Sequence, residues 1–192
     1  MEKLAILVLA AGKSSRMRTI KQLLKINNKT LIDIALEEAK KISNNVYCVL
    51  GANSELIKQE IKSKNVNFID NKNFQKGLST SIVEGVKYLE KKYDTILIML
   101  ADQPEVDGNL LSRLIDLHQK NPSQVIATSY KTNKGVPAIF PKSYYNDLKN
   151  LKDDVGAKKI INKKLSQVIV LNIDKPLIDL DNPKDYNDYI AN

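Results

Sequence analysis

Hydrophobic and polar positions along the chain fall into short apolar runs separated by amphipathic stretches. Residues 3–10, KLAILVLA, form a continuous apolar run, the pattern of a strand covered on both faces in a parallel sheet. Leu31, Ile34, Ala35 and Ala39 then recur at helical spacing up to Ser43, and a second apolar run at 46–50 ends at Gly51. A polar helical stretch over 53–64 leads to a third run at 66–69, and GLSTSIVEGVKYLEKK reads as a loop entering a helix. TILIML at 95–100 is the next strand; a helix over 109–120, a strand over 124–128 and an extended piece over 136–140 follow, and the C-terminal part mixes helix and strand. Strands alternating with helices predict βαβ crossovers and so an α/β fold. The expected architecture is a three-layer α/β/α arrangement around a mostly parallel, Rossmann-like sheet, with its ligand crevice at the carboxyl ends of the strands.

Length adds that the 192 residues suit one domain, and no linker, repeat or low-complexity segment divides residues 1–192. Lys3 and Lys13 bracket the longest N-terminal apolar stretch, so no run reaches the roughly 18 residues of a membrane span, and a cytoplasmic protein is expected. The one cysteine, Cys48, lies inside VYCVL; it has no internal disulfide partner and reads as a buried small hydrophobe. A net charge of +8 raises the question of nucleic acid. The lysines are dispersed, however: Lys40, Lys41, Lys58, Lys62, Lys91 and Lys92 fall on polar positions of helix-like segments, and aromatic residues make up only 6% of the chain. That argues against a nucleic-acid platform and leaves a general attraction for anionic substrates. His118, in the helix-like LIDLHQK, reads as a surface or flanking residue.

The segments richest in small and charged residues are AAGKSSRM, NFQKGLSTS and ADQPEVD. Each follows a predicted strand or leads into a helix, so they should converge on one crevice. In the first, Gly12-Lys13-Ser14 suggests a phosphate-binding P-loop, but the second glycine such a loop requires would stand at Leu7, inside the strand. A dinucleotide-binding GxGxxG fails as well, because Gly12 is the only glycine of the loop. What remains is a small-residue turn, Ala10-Ala11-Gly12, that lets backbone amides approach a ligand, followed by the cations Lys13, Arg16, Arg18 and Lys21. Such a loop suits a triphosphate. Asp102 leaves the TILIML strand at the sheet's carboxyl edge, where a hard divalent cation would find an oxygen ligand; a turn or cap role is its alternative.

LAAGKSSRM followed by KQLL at 21–24 resembles the signature of the MobA-like nucleotidyltransferases, and most of all their molybdenum cofactor cytidylyltransferase branch. GLSTS at 77–81, ADQP at 101–104, GVPAIF at 135–140, DVGA at 154–157 and IDLDNPKDY at 178–186 resemble later family segments in family order. The resemblance implies a nucleotide-diphospho-sugar transferase-like sheet and Mg²⁺-dependent transfer of CMP from CTP to a phosphorylated pterin. Transfer of this kind is catalysed mainly by positioning and charge neutralisation. Arg16 would grip the β- and γ-phosphates, and Lys21 would sit nearer the α-phosphate as the catalytic cation. Backbone groups of Leu9, Ala10 and Ala11 would read the base edge, with Gly12 also in the nucleotide site and Gly77, Ser79 and Ser81 on base and ribose; one of the GLSTS hydroxyls could also cap the following helix. Asp102 would ligate the metal together with Asp181, for which Asp179 and Asp154 are alternatives, as is a helix-capping role before Pro183.

LAAG, where guanylyl relatives tend toward LAGG, favours cytidine; GTP, or a sugar phosphate as acceptor, are the alternatives within the same chemistry, and a non-catalytic nucleotide-binding protein is the alternative outside it. A molybdoenzyme or chaperone is the candidate protein partner. Three departures from the family stand out. Arg18 replaces a glycine that would tolerate positive φ, so the backbone after Met17 is expected to run differently. Val136 stands where a histidine often precedes the proline, and Lys158 where an arginine is common.

Overall fold

The computed structural model describes residues 3–130, 133–163 and 167–191. Its strands are β1 (Leu4–Leu9), a short hairpin of β2 (Lys25–Ile26) and β3 (Lys29–Thr30), then β4 (Val46–Leu50), β5 (Asn67–Asp70), β6 (Thr95–Leu100), β7 (Val125–Tyr130), β8 (Asn133–Pro141) and β9 (Val168–Asn172). Its helices are α1 (Leu31–Ile42), α2 (Ser54–Glu60), α3 (Leu78–Leu89), α4 (Gly108–Lys120), α5 (Tyr145–Lys149), α6 (Lys158–Lys163) and α7 (Pro183–Ile190). Seven strands form one sheet in the order β5-β4-β1-β6-β8-β7-β9. Only β8 runs against its neighbours β6 and β7; the other pairings are parallel.

The apolar runs are continuous because the central strands are covered on both faces. Ala5, Leu7 and Leu9 of β1 pack with Ile82, Val86 and Leu89 of α3, Leu148 of α5 and Ile161 of α6. The alternate residues Ile6 and Val8 pack with Ile32, Leu36 and Ala39 of α1, Ile57 of α2 and Leu111 and Leu114 of α4. Period-two alternation on the strands thus meets period-3.6 stripes on the helices, and three layers result. Gly85 sits where α3 comes closest to β1: a Cβ there would lie 2.4 Å from Leu7 Cδ2.

Two local expectations are corrected. The helical pattern over 53–64 gives a helix that stops at Glu60. The buried Asp33 carboxylate takes the amides of Lys62 and Ser63 at 3.0 and 3.1 Å, which diverts the chain from its helical hydrogen bonds. His118 is not at the surface: it is buried, and its Nε2 lies 3.2 Å from the Thr95 hydroxyl at the start of β6. It continues the inward stripe of Leu111 and Leu114.

Cys48 is fully buried, and desolvation pushes its thiol pKa up to about 12. The native protein should therefore leave an aromatic disulfide reagent unreacted at pH 8, whereas the unfolded chain consumes one equivalent; rapid reaction of the native form would show that β4 opens. No helix among the described residues is long and apolar enough to cross a membrane.

The chain passes from β1 to β4 and β5 on one side, and β6 lies on the other side of β1. The strand order therefore switches direction beside β1, and the register pairs Leu9 with Leu100. Consequently the loop after β1 and the turn after β6 leave the sheet next to each other, at the place where open α/β sheets bind ligands.

Candidate active site

A cleft of about 770 Å³ opens at this edge, within the range of small-molecule sites. Residues 9–16, Lys21, Gln22, 74–78, Ser81, 100–102, Asp153, Asp154, Asp179 and Asp181 line it. The expected convergence of three segments is met, with Asp102 as the contribution of ADQPEVD.

The loop after β1 is held from within. Gln22, buried in a short 3₁₀ turn (Lys21–Leu23), donates through Nε2 to the carbonyls of Ala10 at 2.8 Å and Gly12 at 3.1 Å. Its Oε1 accepts from the Ser14 hydroxyl at 3.1 Å, and Ser14 Oγ accepts from the Lys21 amide at 3.0 Å. This closed ring of bonds fixes the turn that lines the cleft. Arg16 is exposed on the cleft wall and makes no ion pair among the described residues, so its fork of donors is open to an anion. Arg18 adopts φ 55°, as does Ser14 at 56°. The expected detour of the backbone is therefore corrected: arginine is accommodated in the left-handed region because the Ser14 and Gln22 bonds on either side already dictate the path. Replacing Gln22 by leucine removes three side-chain bonds of about 1 kcal/mol each. With the equivalent of one bond lost from loop order, KM for the nucleotide rises about fivefold with kcat less affected; an unchanged KM would show that the loop keeps its shape unaided.

Lys21 lies between two carboxylates. Its Nζ donates to Asp102 Oδ2 in a close ion pair and to Asp181 Oδ1 at 3.0 Å. Burial lowers its pKa, but the charge and hydrogen bond of Asp102, reinforced by Asp181, outweigh that, so the net shift is upward and the ammonium is firmly protonated. Asp102 Oδ1 is buried and has no hydrogen-bond partner among the described residues. Asp181 reaches this place because its segment is strapped to the turn after β6. The Leu180 amide donates to the Asp102 carbonyl at 3.1 Å, Gln103 Nε2 to Asp179 Oδ1 at 2.8 Å, and the Ile178 amide to Glu105 Oε2 at 3.3 Å. The cap of α7 is Asn182, which accepts from the amides of Lys184 and Asp185, so Asp181 is spared that role. Asp179 faces the same cleft with its pKa raised by burial and by the charges of Asp102 and Asp181, against the lowering bond from Gln103.

The GLSTS segment departs in detail from expectation. Gly77 takes φ 104°, and a Cβ on it would lie 2.6 Å from the Asp153 backbone, so only glycine fits. No GLSTS hydroxyl caps the first amide of α3; the carboxylate of Asp154 does, accepting from the Leu78 amide at 3.1 Å. Ser79 is buried and donates to the Asp153 carbonyl at 2.6 Å, which places it behind the cleft wall, where it locks the DVGA loop to α3. Ser81 does line the cleft, its Oγ accepting from the buried Asn71 Nδ2 at 3.0 Å. Thus the structure brings together Leu9 to Gly12, Arg16, Lys21, Gly77, Ser81, Asp102 and Asp181, and sets Ser79 apart. Sequence reasoning missed Gln22, Gln103 and Asn71, whose amide groups act only through neighbours; the position of Gln22 directly after Lys21 was the available signal.

Among the described residues no three His, Cys, Asp or Glu side chains form a closed metal cluster. The arrangement is an open pair of carboxylates beside a loop of amides and cations.

A model of the MobA-like NTP transferase domain matches residues 6–179. The bifunctional protein GlmU of Francisella philomiragia is 32% identical over 115 residues, 58% of this chain and 25% of that protein, so the chain spans about a quarter of the length of such curated relatives. The crystal structure of Rv0371c from Mycobacterium tuberculosis superposes with a TM-score of 0.89 at 24% identity, covering 100% of this chain and 98% of that one. A structure of Rv0371c with manganese gives 0.84 at 22%, covering 98% of each. The 4-diphosphocytidyl-2C-methyl-D-erythritol synthase of Anaerococcus prevotii gives 0.77 at 16%, covering 99% and 95%. These structural likenesses concern the fold; the family model, which spans the loop after β1, the turn after β6 and the strap as far as Asp179, establishes that the chain belongs to the MobA-like NTP transferase family.

Proposed function

We propose that the chain transfers CMP from CTP to a phosphorylated pterin, with Mg²⁺ as cofactor. The observation that carries the reading is the meeting of Lys21, Asp102 and Asp181 in the same cleft as the turn at 9–12. A phosphate oxygen of the acceptor attacks the α-phosphorus, a new P–O bond forms, and the bond to the β-phosphate oxygen breaks to release pyrophosphate. Arg16 holds the outgoing phosphates, Lys21 neutralises charge gathering on the α-phosphate, and the loop amides hold the base end. The residues fit a divalent cation: Asp102 has a buried oxygen with no partner, Asp181 already shares a cation with it, and an open pair leaves room for phosphate oxygens, the usual company of magnesium. When bound, the metal supplies Lewis-acid neutralisation of the triphosphate. Manganese in the structure of Rv0371c, a protein of the same fold, supports the choice of a hard dication.

Cytidine is supported by the LAAG form of the loop and by the shared fold of a diphosphocytidyl synthase. For the acceptor, the exposed Asp153 and Asp154 on the cleft wall accept hydrogen bonds only, which suits the N–H groups of a pterin. Pyrophosphate release, measured with each NTP in turn plus Mg²⁺ and molybdopterin, tests the reading. Release with CTP is the expected result. Release only with GTP would move the nucleotide, release only with a sugar phosphate would move the acceptor, and none in any combination would remove the proposal.

A further inference from the structure

Lys21 occupies a place that the proposed reaction needs for something else. Its ammonium bridges Asp102 and Asp181, the two carboxylates that would hold the divalent cation, through a close pair to Asp102 and a 3.0 Å bond to Asp181. The pair is largely withdrawn from water, with side-chain exposures of 15% for Lys21 and 19% for Asp102, so screening between an ammonium and a dication there would be weak. Two like-charged ions on the same two carboxylates therefore repel each other unless one of them has another acceptor. The triphosphate supplies that acceptor.

We propose that Lys21 is a displaceable internal cation: its ammonium neutralises Asp102 and Asp181 in the nucleotide-free protein and moves to the α-phosphate when metal and triphosphate arrive together. The inference rests on the reading of Asp102 and Asp181 as metal ligands. Lys21 starts one bond network away from the loop, since its own amide is held by Ser14 Oγ at 3.0 Å. The backbone can therefore stay still while the side chain alone swings. Two consequences follow. The free protein holds a dication poorly, because binding it means giving up two charge-assisted bonds. Nucleotide and metal then strengthen each other's binding by the same factor, as linkage requires. The lysine thereby discourages metal loading until substrate is present, and it supplies the α-phosphate cation at the moment of loading.

Mn²⁺ binding to the nucleotide-free protein, followed by the loss of the free-ion signal in electron paramagnetic resonance, is the test. Lys21→Met and Lys21→Gln, each checked for native thermal unfolding, are expected to bind Mn²⁺ at least tenfold more tightly than the wild type. Adding Asp102→Asn to either should abolish the gain. Equal or weaker affinity in both variants would overturn the proposal, since the ammonium and the metal would then coexist on different oxygens, and so would a gain that survives Asp102→Asn. These failures are separable from failure of the underlying reading. If the wild type releases pyrophosphate with Mn²⁺ while the variants show no gain, the inference alone falls. If no form binds Mn²⁺ even with CTP, the metal reading falls and takes the inference with it.

Discussion

Lys21→Ala is expected to lower turnover by roughly 10²–10³-fold, the effect of removing one group aimed at developing charge, while the CTP dissociation constant changes far less. The split follows from position: the base end of the cleft is built by residues 9–12 and the 74–78 turn, which Lys21 does not hold through its side chain. Single-turnover kinetics with a separate binding titration checks it, and equal losses in rate and affinity would reassign Lys21 to uniform binding. Stability offers a second handle. Because the folded-state pKa of Lys21 is raised, its pairing stabilises the fold fully below the ordinary lysine value of 10.5 and is lost only as pH climbs through the higher folded value. The unfolding free-energy difference between wild type and Lys21→Ala should accordingly be flat from about pH 6 to pH 9; a strong slope in that window would mean that another group titrates with it.

Asp102→Asn is expected to cost at least roughly 10²-fold in activity at saturating substrates and to shift the Mg²⁺ requirement upward by an order of magnitude or more. The substitution is nearly isosteric, keeps one oxygen, and removes the charge that pairs with Lys21. A metal titration of pyrophosphate release reads the effect directly. An unchanged titration curve would move the ligand to Asp179, the neighbouring carboxylate that faces the same cleft. Asp181→Asn, at a side chain 49% exposed, should follow Asp102→Asn in direction with a smaller loss.

The fold was readable because burial on both faces leaves an unmistakable trace: β4 and β6 occupy the very residues of their apolar runs, 46–50 and 95–100. Capping and stripe continuity are harder to read. The end of α2 depends on Asp33, about 30 residues away in the chain, and His118 is a polar residue on an inward stripe. In the site, the charged candidates Asp102, after a strand, and Lys21, after the glycine turn, could be singled out from the sequence and do meet in the cleft. Neutral amides are harder to single out. Gln22 and Gln103 work by orienting carbonyls and carboxylates, and such roles appear only once distant segments are brought together. Ser79 shows the converse: a hydroxyl inside a motif that the fold consumes in its own bonding.

The strap that ties residues 178–181 to the turn after β6 has a bearing on how the molecule comes into being. The partner that Lys21 finds in Asp181 lies 160 positions along the chain. Contacts of such separation close late, after the local and intermediate ones have formed. Until that segment docks, Asp102 is the one carboxylate of the pair at Lys21. Competence for the proposed transfer in this sense waits on the docking of the segment at 178–181.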